Sequence, residues 1–246
     1  SRFVAIPTTS GSGSEASVAA VVTDGMPPRK IPIVSMDFIP DVVILDPSLT
    51  IDLPNDITFY TAIDAFTHAI ESYCSTVHNQ ITDQYAVMAG KLIVNSLQTV
   101  IRNPGDLDAR ERLQFAATLA GIAQNTTSVG AAHALSHALG VTTDIPHGLG
   151  NAIVLSKVLR LNAKDSTRPG MFTQEIGFDS LENIETWLAS MAELVDVPLR
   201  WGESMVPDRE PSAESIAAIA FDDVCLRTNP RKTSLEELST IVESTR

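Results

Sequence analysis

The sequence predicts a mainly α-helical protein in which a short β-rich stretch precedes a multi-helical domain. Over residues 1–50, short runs rich in Val and Ile alternate with turns that carry Gly or Pro, which is typical of strands. From about Asn55 onward, apolar residues recur every three to four positions and the strand pattern disappears. We therefore divide the chain into a β-rich segment over residues 1–50 and an all-helical domain over residues 51–246.

Four strands and eight helices follow from these patterns. The strands are expected at 3–6, 17–23, 31–35 and 41–45, with one turn at 26–28. The helices are expected near 56–76, 80–102, 106–127, 130–140, 148–164, 181–195, 212–227 and 234–244. Thr233, followed at the third position by Glu236, has the spacing of a capping box and is expected to start the last helix. So few short strands cannot form a stable sheet alone, and we expect them to leave exposed edges and an apolar patch.

Composition excludes several classes of protein. The 246 residues include 17 Lys and Arg against 30 Asp and Glu, a formal net charge of −13, which argues against nucleic acid or an anionic membrane surface as a partner. No apolar run approaches the ~20 residues that span a bilayer. The hydrophobic content of 44% argues against disorder. Cys74 and Cys225 form no disulfide framework, so we expect a cytoplasmic protein.

The first candidate site lies on the first predicted helix. Asp64 and His68 are four residues apart and share an otherwise apolar helix face. An unpaired buried carboxylate would cost several kcal/mol, so a cation is expected nearby. No Lys or Arg occurs between Lys30 and Lys91, which favours a metal ion, although a distant Arg remains an alternative.

His133 and His137 repeat the four-residue spacing, and His147 follows after a turn. With Asp64 and His68, these side chains offer nitrogen and oxygen donors that suit Fe²⁺ or Zn²⁺ better than Mg²⁺ or Ca²⁺. The alternative is a set of hydrogen-bonded core histidines, or an Asp and His pair in which one fixes the tautomer of the other. His78, beside Asn79 in a predicted turn, is interpreted as structural.

The segment over residues 8–15 follows the first predicted strand and is rich in Gly, Ser and Thr. Such a loop can approach a phosphate or a ribose closely through its backbone N–H groups and hydroxyls. Turns of this composition are common, so the loop alone is weak support for a nucleotide site.

Together these segments resemble the iron-containing alcohol dehydrogenase family of the dehydroquinate synthase-like superfamily. The motifs that carry the resemblance are PTTSGSGSE at 7–15, PDVVILDP at 40–47, DAFTHAIE at 64–71, the segment from His133 through PHG at 146–148, and CLRTNPR at 225–231.

The resemblance implies a metal-binding C-terminal domain preceded by a β-rich remnant of an α/β dinucleotide-binding domain. It implies hydride transfer between a primary alcohol or aldehyde and NAD(P), with Fe²⁺ or Zn²⁺ as Lewis acid, in a cytoplasmic homo-oligomer. The implied residues are the metal ligands Asp64, His68, His133 and His147, the catalytic His137 beside the nicotinamide, and the cofactor-binding Thr8, Thr9, Ser12, Ser17 and Lys30.

One departure from the family pattern is large, because the family's N-terminal dinucleotide-binding half with its glycine-rich loop has no counterpart in this sequence. We therefore expect the isolated chain to be inactive and to bind NAD weakly. A smaller departure is Ser12, where Thr is commoner. The alternatives are a maleylacetate-reductase-like enzyme, disfavoured because its relatives lack the full ligand set, a metal-assisted hydrolase or lyase, and a non-catalytic helical module.

Overall fold

The computed structural model describes residues 2–25, 29–204 and 211–246. The helices of the described chain are α1 (Asn55–Cys74), α2 (Gln80–Arg102), α3 (Leu107–Thr127), α4 (Ala131–Thr143), α5 (His147–Asn162), α6 (Arg168–Glu175), α7 (Leu181–Leu194), α8 (Trp201–Ser204), α9 (Ala213–Phe221) and α10 (Leu235–Ser244). The predicted mainly helical class is confirmed.

Helix α1 runs through the core of the helical region. It packs against α2, α3 and α5, and side chains on different sides of it, such as Ile63, Ala65 and Phe66, are fully buried. Because α1 has so little contact with solvent, its polar residues are buried together with its apolar ones. Each of them therefore needs a partner within the fold.

The strands form two small sheets. β1 (Val4–Ala5) pairs in parallel with β4 (Val42–Val43), and β2 (Ala19–Asp24) pairs antiparallel with β3 (Arg29–Val34). All four strands lie within or beside the predicted runs. The predicted turn at 26–28 lies outside the described residues.

Large apolar side chains are exposed on these strands and beside them. They include Phe3, Val22, Ile31, Ile33, Val34, Met36 and Ile44. Successive side chains point to opposite faces of a strand, so Ile31 and Ile33 lie on one face of the β2–β3 hairpin while Lys30, Pro32 and Val34 lie on the other.

Two of the predicted elements were wrong near the C-terminus. The helix predicted over 212–227 ends at Phe221, and a 3-10 turn over Val224–Thr228 replaces its second half because the Asp223 carboxylate accepts a hydrogen bond from the Cys225 N–H. The capping box is formed by Ser234 and Glu237 rather than by Thr233 and Glu236. Helices α6 and α8 were not predicted.

Among the described helices, none combines the length and the apolarity needed to cross a membrane.

Candidate metal centre and cleft

Three helices bring the predicted metal ligands together. Asp64 and His68 lie one turn apart on α1, His133 lies near the start of α4, and His147 is the first residue of α5. Asp64, His68 and His133 are buried, whereas the His147 side chain is 38% exposed. All four line one cleft of about 530 Å³.

The Asp64 carboxylate is the centre of the group. Its Oδ1 lies 3.3 Å from His147 Nε2, 3.6 Å from His133 Nε2 and 3.9 Å from His68 Nε2. Donor atoms of Asp64, His133 and His147 all lie within 4.8 Å of one another. His68 faces the same cleft, and its ring stacks on that of His133 with centroids 4.6 Å apart.

Hydrogen bonds on the far side of two imidazoles fix which nitrogen faces Asp64. His133 Nδ1 lies 2.7 Å from Glu71 Oε2, and an ionised carboxylate only accepts, so Nδ1 carries the hydrogen of a neutral His133. Ser136 donates its hydroxyl to the His147 carbonyl at 2.7 Å, so its oxygen accepts from His147 Nδ1 at 3.0 Å. When both rings are neutral, their Nε2 atoms therefore present lone pairs to the Asp64 carboxylate.

Three acceptor atoms that face one another in a partly buried space require a cation between them. In the absence of a metal, a proton on His133 can serve, since the Asp64 and Glu71 carboxylates overcome burial and raise the pKa of His133 to about 9. His68 is different, because burial lowers its pKa to about 4, and its buried Nδ1 has no hydrogen-bond partner among the described residues. The donor set of one carboxylate and three imidazoles fits a divalent first-row metal ion.

A glycine allows α5 to place His147 against α1. A Cβ at Gly148 would lie 2.0 Å from the Tyr60 carbonyl oxygen and 2.6 Å from its carbon, so any larger residue would push the two helices apart.

The other predicted residues lie at different distances from the centre. Ser12, Ser17, Lys30 and His137 line the same cleft as the four predicted metal ligands, which we call the metal-binding group. Thr8 is exposed, Thr9 is half-buried, and neither lines the cleft. Lys30 Nζ donates to Thr23 Oγ1 at 2.9 Å, which holds the ammonium group on the β2–β3 hairpin. His78 contacts Asp83 at 3.2 Å and does not line the cleft.

His137 is next to the metal-binding group and bonded to a different carboxylate. Its ring stacks on His147 with centroids 5.2 Å apart, and its Nδ1 lies 2.8 Å from Asp223 Oδ2. Burial lowers the pKa of His137, which favours the neutral imidazole.

The chain is similar to known proteins over most of its length. Sequence models described as "Fe-containing alcohol dehydrogenase family, C-terminal" and "Iron-containing alcohol dehydrogenase" match residues 58–245 and 1–47. The NAD-dependent methanol dehydrogenase of Bacillus methanolicus is 32% identical over 98% of this chain, and the NADPH-dependent butanol dehydrogenase of Clostridium saccharobutylicum is 33% identical over 98% of it. The chain belongs to the iron-containing alcohol dehydrogenase family.

The fold agrees as well. A crystal structure of 1,3-propanediol oxidoreductase superposes with a TM-score of 0.90 at 32% identity and covers 99% of this chain. The chain spans 65% of the length of that structure and of the methanol dehydrogenase, and 64% of the butanol dehydrogenase.

Sequence reasoning missed the residues that orient the predicted ligands. Glu71 accepts from the backbone N–H groups of Gly130 at 2.8 Å and of Ala132 at 2.7 Å as well as from His133. Asn151 donates to Asp64 Oδ1 at 2.9 Å. Glu71 follows His68 by three positions on α1, so helical spacing alone could have found it. Ser136, Asn151 and Asp223 carry no such signal.

Proposed function

We propose that the protein transfers a hydride between a primary alcohol or aldehyde and NAD(P) in a metal-dependent reaction. The observation that carries the proposal is the convergence of Asp64, His133 and His147 acceptors on one space within a cleft that Ser12 and Lys30 also line. Relatives are named as methanol, butanol and propanol dehydrogenases, which supports a small primary alcohol as substrate.

The metal-binding residues are Asp64, His68, His133 and His147. The family supports Fe²⁺ rather than Zn²⁺ as the ion, although the donor set alone accommodates both. A bound Fe²⁺ would supply a Lewis acid that polarises the oxygen of the substrate. Within the chain, Glu71 and Ser136 keep Nε2 of His133 and of His147 free for coordination, and the Asn151 amide holds the Asp64 carboxylate.

The remaining cleft residues would bind and enclose the reactants. Val21, Pro32 and Val34 give the cleft an apolar wall against which the reactants would pack. Ser12, Ser17 and Lys30 offer hydroxyls and a positive charge to the nucleotide, and His137 would accept the hydroxyl proton of the alcohol at Nε2.

The nicotinamide would supply the hydride acceptor. Contacts of Thr8 and Thr9 with the cofactor, the choice between NAD and NADP, a homo-oligomeric assembly and a cytoplasmic location all remain predictions.

The test combines metal content with alcohol oxidation in the complete protein that carries this chain. Protein purified without chelator is analysed for metal, and a panel of primary alcohols is assayed with NAD and with NADP. Asp64→Asn and His147→Ala should each lose most of the bound metal and the alcohol-dependent reduction of NAD(P). His78→Ala is the matched control, because His78 lies outside the cleft, and it should retain both properties.

Two results would overturn the proposal. Unchanged metal content in both Asp64→Asn and His147→Ala would show that the metal is held elsewhere. A metal-loaded protein that hydrolyses or dehydrates its substrate, with no oxidation of any alcohol by either nucleotide, would favour the hydrolase or lyase alternative.

A further inference from the structure

The pair formed by His137 and Asp223 lies beside the metal-binding group, and neither residue is among the four proposed metal ligands. The side chains are 17% and 10% exposed, and Asp223 Oδ2 lies 2.8 Å from His137 Nδ1. The other oxygen of the same carboxylate, Oδ1, accepts the backbone N–H of Cys225 at 2.8 Å. Both oxygens of Asp223 are thus engaged, each by a different donor.

This arrangement fixes the tautomer of His137. An ionised carboxylate accepts hydrogen bonds and cannot donate them, so Nδ1 of a neutral His137 carries the hydrogen and Nε2 keeps its lone pair. His137 lines the cleft, and its Nε2 makes no hydrogen bond within the described part of the chain. The ionised state of Asp223 is supported because its contacts with His137 and Cys225 outweigh burial and lower its pKa.

We propose that Asp223 is a positioning residue that holds His137 in the Nδ1–H tautomer and so presents an unprotonated Nε2 to the hydroxyl group of the alcohol in the cleft. The role toward the alcohol rests on the proposed function, whereas the tautomer itself does not. The 3-10 turn that starts at Val224 contributes to this positioning, because the N–H of Cys225 fixes the orientation of the Asp223 carboxylate.

The turn also makes one substitution informative. In Asp223→Asn the Cys225 N–H still requires an acceptor, so the amide oxygen would take the position of Oδ1. The amide NH₂ would then face His137 Nδ1 and donate to it. Nδ1 would become the acceptor, and the hydrogen of the imidazole would move to Nε2. The volume of the side chain hardly changes, so the variant alters the tautomer of His137 and removes one negative charge beside it.

Imidazole nitrogen NMR of ¹⁵N-labelled, metal-free protein measures the tautomer directly. The signals of His137 are assigned by their loss in His137→Gln. The wild type should show a protonated Nδ1 and an unprotonated Nε2, and Asp223→Asn should show the reverse. Asp222→Asn is the matched control, because the neighbouring Asp222 is exposed and does not bond His137 within the described residues, and it should keep the wild-type signals.

Steady-state kinetics of the complete, metal-loaded protein measure how the tautomer of His137 affects alcohol oxidation. Asp223→Asn should lower kcat for alcohol oxidation by roughly 10²-fold, the lower range for loss of general acid–base catalysis, with little change in KM or metal content. Asp222→Asn should leave kcat unchanged.

The outcomes distinguish the claim that Asp223 fixes the tautomer of His137 from the claim that this tautomer serves alcohol oxidation. A wild-type His137 with a protonated Nε2 overturns the positioning role even if Asp223→Asn does not fold. A switched tautomer with unchanged kcat overturns the role toward the alcohol. A protein that oxidises no alcohol overturns the proposed function, while the NMR result on the tautomer stands.

Discussion

Glu71 is the residue on which the geometry of His133 depends most. Its carboxylate accepts hydrogen bonds from the backbone N–H groups of Gly130 and Ala132 and from the ring of His133. It ties the start of α4 to α1 and at the same time sets the orientation of the His133 imidazole, one of the proposed metal ligands. Such partners of metal-bound histidines change metal affinity through the ligand they orient.

In Glu71→Gln, the amide NH₂ must face at least one of these donors. We expect the free energy of unfolding to fall by about 1–3 kcal/mol, the cost of a buried donor without an acceptor, and metal affinity to fall by roughly 10- to 100-fold. Denaturant unfolding and metal titration measure the two effects. Glu193→Gln, at an exposed position on α7, should alter neither, and equal effects in both variants would refute a specific role for Glu71.

Gly148 gives a second prediction at this scale. In Gly148→Ala the new Cβ meets the Tyr60 backbone, and we expect overpacking to lower the free energy of unfolding by about 1–3 kcal/mol. Gly170 is also in a helix, yet nothing lies within 4 Å of a Cβ built there, so Gly170→Ala should be neutral or stabilising. Thermal unfolding of both variants checks the contrast, and a neutral Gly148→Ala would contradict the close approach of α5 to α1.

The start of α10 is capped by a side chain, and this cap can be tested by substitution. Ser234 accepts from the Glu237 N–H, and Glu237 reaches back to the Ser234 N–H, so this pair forms the capping box. We expect Ser234→Ala to lower the free energy of unfolding by about 1 kcal/mol. Thr233→Ala should have a much smaller effect in the same denaturant titration. A larger loss in Thr233→Ala would support the cap that the sequence favoured.

The predicted cap of α10 was wrong by one residue, which shows what local sequence patterns can and cannot predict. Thr233 and Ser234 are both good caps followed by Glu three positions later, so local spacing cannot choose between them. Asp64 and His68 were predictable as a pair because helical spacing is local. Asp223 was not, because its partner His137 is 86 residues away and is brought to it only when α9 stops at Phe221.

The residues of the cleft were also predictable only in part. The family resemblance predicted that Thr8, Thr9, Ser12, Ser17 and Lys30 would face the cofactor. Of these, Ser12, Ser17 and Lys30 line the cleft, whereas Thr8 and Thr9 do not. Sequence patterns could not supply Ser136 or Asn151. Their roles arise from contacts between α4 and α5 and between α5 and α1 rather than from spacing along one helix.

For the whole molecule, the exposed strands are the expected site of self-association. Ile33 is 47% exposed on the face of the β2–β3 hairpin that points away from the cleft. A protein made of residues 1–246 should associate through this apolar surface, and Ile33→Lys should shift the weight-average mass in sedimentation toward the monomer. Lys232→Ala, an exposed substitution in the helical domain, should not. A monomeric wild type would refute the prediction.

The central claim is that Asp64, His68, His133 and His147 hold one iron ion. Anomalous diffraction at the iron edge, from crystals loaded with Fe²⁺ under anaerobic conditions, tests it most directly. We predict one strong peak about 2.0–2.2 Å from an oxygen of Asp64 and from Nε2 of the three histidines. A peak at the neighbouring group of His137, Asp223 and Cys225, or no peak in the cleft, would contradict the account.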